Sequence, residues 1–130
     1  EVHRHLGTRR EIHAVEMLYT AMGRGCRTVR VERSGDFDVA IGRWADDRFG
    51  TVRGNRTKNY DFQGLVHFAD RTAPVNASVG KSFYTSLAEV MLAFFQGGPV
   101  PIEPAETIEL MRFIEAANES RDHGGREVTL

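Results

Sequence analysis

The chain has 130 residues, 41% of them apolar and 27% charged, with a net charge of −1. That is enough sequence for one globular domain with a real core, and the near-neutral balance excludes a dedicated nucleic-acid binder, whose basic excess would crowd one face. The single cysteine, Cys26, excludes an internal disulfide and zinc sites built on cysteine pairs.

Glu1 to Arg9 is polar and without periodicity, so an irregular arm is expected over residues 1–10 and one folded domain over 11–130. Arg10 to Gly23 reads as a helix that is apolar around most of its circumference: Ile12, Val15, Leu18, Tyr19 and Met22 recur at helical spacing. His13, Glu16 and Thr20 break that surface along one line, at i, i+3 and i+7. Gly23 closes the helix.

Strand patterns follow. Thr28 to Arg33 alternates apolar and charged, Ser34-Gly35-Asp36 is a turn, and Phe37 to Trp44 is a second strand. Ala45-Asp46-Asp47 is a hairpin tip, and Arg48 to Gly54 returns. Asp61 to Phe68 and Ala73 to Val79 are two more strands, which makes an antiparallel meander. Val29, Val31, Val39 and Ile41 are expected to meet the helices; Arg30, Glu32, Asp38, Trp44 and His67 are expected on the opposite face, either solvated or against another subunit.

Helical spacing returns with Phe83, Leu87, Val90, Met91 and Phe94, up to the glycines Gly97 and Gly98. Pro104 suits the first turn of a last helix carrying Ile108, Met111, Ile114 and Ala117, which stops before Gly124-Gly125. Glu127 to Leu130 is a short extended end. Helix, strands and two helices in that order imply an α+β two-layer sandwich: an open, mostly antiparallel sheet with helices on one face.

Chemistry is sparse. Gly23-Arg24-Gly25-Cys26 opens like a phosphate-binding loop, but a helix precedes it and a strand follows, the reverse of what that mechanism needs. His3 and His5 lack a third metal ligand nearby, and the aspartates sit in turns. Cys26 reads as a small buried residue. With no membrane-length apolar run and no signal-peptide pattern, a cytoplasmic chain with neither a membrane nor a nucleic-acid partner is expected. His13 with Glu16 is the best candidate for proton transfer, because an adjacent carboxylate fixes the tautomer of an imidazole.

Residues Ile12 to Cys26 resemble the first helix of the C-terminal domain in the Gfo/Idh/MocA family, the glucose–fructose oxidoreductases, inositol dehydrogenases and relatives. Gly42-Arg43-Trp44, Gly50 to Gly54, Pro99-Val100-Pro101, Glu103 to Thr107 and Phe113 to Ser120 with Gly124-Gly125 are similar too. The resemblance implies a pair of domains: a Rossmann domain that binds NAD(P), and a C-terminal domain that supplies an open sheet, part of a sugar or polyol pocket and much of the oligomer contact. It implies a proton-transfer role for His13, with Glu16 and Thr20 along the same substrate wall. The family's aspartate, four residues before that histidine, falls here on Arg9.

No Rossmann motif occurs in these residues, so the chain is expected to be the second domain alone: no cofactor of its own, no catalysis in isolation, and a homo-oligomer through the outer sheet face. The alternatives are a stand-alone module that self-associates or binds a small ligand, and an independent small enzyme using His13 and Glu16.

Overall fold

The computed structural model describes residues 9–57, 61–77 and 79–130, with Arg9 to Glu11 described by backbone alone. In chain order the elements are α1 (Arg9–Met22), β1 (Cys26–Arg33), β2 (Phe37–Trp44), β3 (Phe49–Asn55), β4 (Gln63–His67), β5 (Thr72–Asn76), α2 (Phe83–Phe95), α3 (Pro104–Asp122) and β6 (Val128–Thr129). They form two compact units, Glu1–Asn59 with Pro104–Leu130, and Tyr60–Glu103. The α+β class is as expected. The helix starts inside the span expected to be an arm: Arg9 and Arg10 are good helix formers, and nothing there stops a helix.

In the first unit, four antiparallel strands lie in the order β3-β2-β1-β6. The chain's last residues, expected only to be extended, close this sheet by pairing β6 with β1. Val15 and Tyr19 of α1, Val29 and Val31 of β1, Ala40 and Trp44 of β2, Val52 of β3, and Leu110, Phe113 and Ile114 of α3 make one buried cluster. The helices α1 and α3 thus pack on one face, as the sandwich requires.

The face of β2 is the reverse of the expected one. Val29 pairs with Gly42 and Val31 with Ala40, and directly paired residues share a face. Asp38, Ala40, Gly42 and Trp44 therefore point into the core and are buried, while Phe37, Val39 and Ile41 point away from the helices and are half-buried. The cause is volume. An added Cβ at Gly42 would stand 2.7 Å from the Phe113 ring and 2.8 Å from the Trp44 indole, and one at Gly50 would stand 2.6 Å from Leu18. Small residues line the floor so that one indole can fill it. Trp44 and Asp38 are thus inside, not on the outer face.

Two polar clamps fix this arrangement. Asp38 accepts from Arg56 Nη1 at 2.7 Å and Nη2 at 3.1 Å, and Arg56 also donates to the carbonyls of Ser34 and Gly35. This pins the β1–β2 turn to the end of β3 and partners a buried carboxylate, which would otherwise be costly. Ser120 Oγ accepts from the Val31 N–H at 2.9 Å and donates to the Arg126 carbonyl at 2.6 Å, bridging β1 and the turn after α3. Gly124 (φ 71) and Gly125 (φ 85) hold the left-handed backbone that the turn after α3 needs, and Gly25 (φ 112) takes a positive φ in the turn between α1 and β1.

In the second unit, β4 and β5 pair only with each other, from Gln63↔Asn76 to His67↔Thr72. His67 therefore belongs to a separate hairpin, not to the sheet of β1 to β3. The helix α2 forms where its spacing placed it, but none of its residues is buried. The expected apolar face, Phe83, Leu87, Val90, Met91 and Phe94, is 41–61% exposed.

Gly42→Ala is expected to destabilise the first unit by about 1–3 kcal/mol through overpacking. Thermal unfolding followed by circular dichroism would read this as a loss of several degrees, whereas Gly64→Ala, with nothing within 4 Å of an added Cβ, should shift it far less.

Candidate functional site

The apolar residues of α1 settle the direction of its polar line. Val15 and Tyr19 are buried, with Ile12, Leu18 and Met22 packed beside them, so His13, Glu16 and Thr20 are turned to the surface. His13 Nδ1 lies 2.8 Å from Glu16 Oε2, with side chains 59% and 50% exposed. An ionised carboxylate only accepts, so Nδ1 carries the proton in this contact and the neutral ring keeps its lone pair on Nε2. Thr20 Oγ1 donates to the Glu16 carbonyl at 2.9 Å, which leaves its oxygen as an acceptor toward anything above the helix.

The structure thus brings the three residues together as one surface row, held from within α1. Chemically the row can take a proton at Nε2 and accept a hydroxyl hydrogen at Thr20. Arg9 stands at the start of α1, one turn before His13; its side chain lies outside the described residues, as do His3 and His5.

A second polar centre, missed in the sequence, lies at the other end of α1. Glu109 of α3 receives the backbone N–H groups of Gly25 and Cys26 at 2.7 and 2.9 Å and the Tyr19 hydroxyl at 3.3 Å, all on Oε1. Arg24 Nε stands 3.6 Å from its other oxygen. One carboxylate therefore ties the turn after α1 to α3 and satisfies donors that the turn would otherwise strand. The available signal was a glutamate between Ile108 and Leu110 in a helix that had to be buried on one side.

Burial, reinforced by the Glu109 carboxylate, pushes the Cys26 thiol up to about 12. Burial raises the Tyr19 phenol as well, with Cys26 and Glu109 adding to it. Both groups are neutral near pH 7, and Cys26 is no thiolate nucleophile there.

The other candidates lie in the second unit. His67 contacts Thr72 at 3.0 Å across its own hairpin, and Lys81 pairs with Glu89. Among the described residues no three His, Cys, Asp or Glu side chains gather into a metal site. None of their helices is long and apolar enough to cross a membrane. Comparison with known protein families, with characterised proteins and with solved structures gives no match to this chain.

The two raised groups set an alkaline limit on stability. Unfolding returns the thiol to an ordinary value of about 8.5 and the phenol to about 10, so the unfolded chain releases these protons first. Their contribution is complete below pH ~8.5 and is lost as pH rises toward the folded values. Urea unfolding at intervals between pH 7 and 11 should show a falling midpoint above about pH 9, and Cys26→Ala should make that slope shallower whatever it does to stability at pH 7.

Proposed function

We propose that this chain is the substrate-side and assembly domain of a NAD(P)-dependent sugar or polyol oxidoreductase of the Gfo/Idh/MocA type, cytoplasmic in setting, which self-associates but does not transfer hydride by itself. The observation that carries the assembly half is the reversed face of β2. It places Phe37, Val39 and Ile41 in a column on the sheet face opposite α1 and α3, with Phe49 beside them, 58% exposed. A partly apolar sheet face turned away from the helices of its own unit is the kind of surface that a second subunit covers.

The site half rests on His13, Glu16 and Thr20. In this reading His13 Nε2 takes or returns the hydroxyl proton of a sugar or polyol, Glu16 holds the ring in the competent tautomer, and the Thr20 oxygen accepts from a neighbouring hydroxyl. NAD(P) does not fit these residues. A dinucleotide needs a glycine-rich turn from a strand into a helix N-terminus, and the passage from β5 into α2 holds the single glycine Gly80. The chain's own part is therefore limited to the substrate and its proton. The openness of the His13–Glu16 pair, more than half exposed at His13, favours a second reading: a stand-alone self-associating or small-ligand-binding module without catalysis.

Sedimentation equilibrium tests the assembly half. The chain is expected to associate at micromolar concentration, and Val39→Lys to weaken that association at least ~10-fold, since each such factor is about 1.4 kcal/mol. A wild-type chain that stays monomeric at 100 µM would sink it. For the site half, imidazole NMR signals of His13 should move with millimolar inositol or glucose and should not move in Thr20→Val. Signals indifferent to every polyol would leave the module reading in possession.

A further inference from the structure

Resting on the assembly reading, the ladder of the sheet specifies how the two copies meet. Paired residues lie in rows across the outer face. Glu32 of β1, Val39 of β2 and Arg53 of β3 form one row. Arg30, Ile41 and Thr51 form the next, and Thr28, Arg43 and Phe49 the one after. The first row holds a carboxylate and a guanidinium about 4.8 Å to either side of an apolar centre. Glu32 is 64% exposed and meets Arg30 only at 3.7 Å. The Arg53 guanidinium lies 4.0 Å over the Phe37 ring. It is therefore already positioned, and an incoming carboxylate has little of its freedom left to remove.

We infer that two copies pack outer face to outer face about a two-fold axis running nearly along β2 over Val39, so that Glu32 of each copy meets the partner's Arg53. Rotation about such an axis exchanges the flanks of the sheet: β1 comes to lie over β3 of the second copy, and Val39 lies over its own equivalent. The contact is self-complementary, as a closed dimer requires. Two Glu–Arg pairs flank an apolar centre, and the charged residues form the rim. A two-fold across the strands would return Glu32 to an Arg30, the residue type it already neighbours, and set Arg53 against a threonine. Aligned sheets cross at about 30°. Arg43 sits about 13 Å along β2 from Val39, so a crossing centred there offsets the two Arg43 backbones sideways by about 7 Å.

Charge reversal and cross-linking test this register. Glu32→Arg and Arg53→Glu are each expected to raise the dimer Kd about 10-fold or more by setting like charges together at two symmetric places. The double exchange, Glu32→Arg with Arg53→Glu, should bring it back to within a few-fold of wild type. A short bis-maleimide, able to span the ~10 Å between packed sheets that a disulfide cannot, should join Val39→Cys into a covalent dimer and act far less on Thr51→Cys. The native Cys26 is buried and does not compete. Circular dichroism checks that each variant is folded, which surface positions favour. A dimer in which the double exchange is no tighter than the single ones, or in which Val39→Cys fails to cross-link, overturns the register while leaving assembly standing. A monomeric wild type removes assembly itself, and the register with it.

Discussion

The position of one indole governs the first unit. Trp44 meets Tyr19 of α1 and Phe113 of α3, with ring centroids 5.8 and 6.5 Å away, and those two rings lie edge to face at 6.0 Å. Its Nε1–H donates to the Gly23 carbonyl at 2.9 Å, so the end of α1 is tied to the same side chain. The indole rests above Gly42 and Gly50, where any larger residue would collide with it. Large rings buried this way dominate core energetics. Because successive residues of a strand face opposite sides, placing Trp44 inside commits the whole of β2. Asp38, Ala40 and Gly42 follow it inward, and Phe37, Val39 and Ile41 are left outside. The apolar column on the outer face is the geometric consequence of the core, in a strand short of polar residues.

That consequence explains where sequence reading succeeded and where it failed. Element types and order were legible because the periodicities are clean: α1, the three strands from Cys26 to Asn55, the tip at Asp46-Asp47, α2 and α3 lie where their patterns put them. The grouping of Phe37, Val39 and Ile41 on one face was also legible. Which way that face points was not. Hydrophobicity alone sends Val39 and Ile41 inward, and the decision belongs to a packing constraint that no single strand displays: a tryptophan needing two glycines on neighbouring strands. The pairing of β6 was hidden for a related reason, since two residues carry no periodicity and the partner lies about a hundred positions away.

The polar centres show the same limit. His13, Glu16 and Thr20 were legible as a line because helical spacing is local, and the structure keeps them together. Glu109, Asp38 and Ser120 were not, because each acts on a distant segment. Glu109 reaches 83 residues back to the Cys26 N–H, and Ser120 reaches 89 back to that of Val31. These three are buried or partly so and each is hydrogen-bonded, as buried polar groups in folded proteins are. They secure turns. The His13–Glu16 contact on α1 is of another kind: it is exposed and local, and an i, i+3 pair on a helix surface contributes only about 0.2–0.5 kcal/mol.

The placement of α1 then bears on how assembly and site coexist. In the first unit α1 and α3 occupy one side of the sheet, and the column of Phe37, Val39 and Ile41 the other. The row of His13, Glu16 and Thr20 lies on the side of α1 turned away from the core, hence away from the sheet. A second copy seated on the outer face would cover Val39 without approaching His13. The sheet separates the partly apolar column of β2 from the polar row of α1, and Trp44 specifies both: its contact with Tyr19 turns the apolar side of α1 inward, and its place in β2 turns Val39 outward. Changes at the outer face should therefore act on association with little effect at His13, and changes at the core beneath Trp44 should disturb both surfaces together.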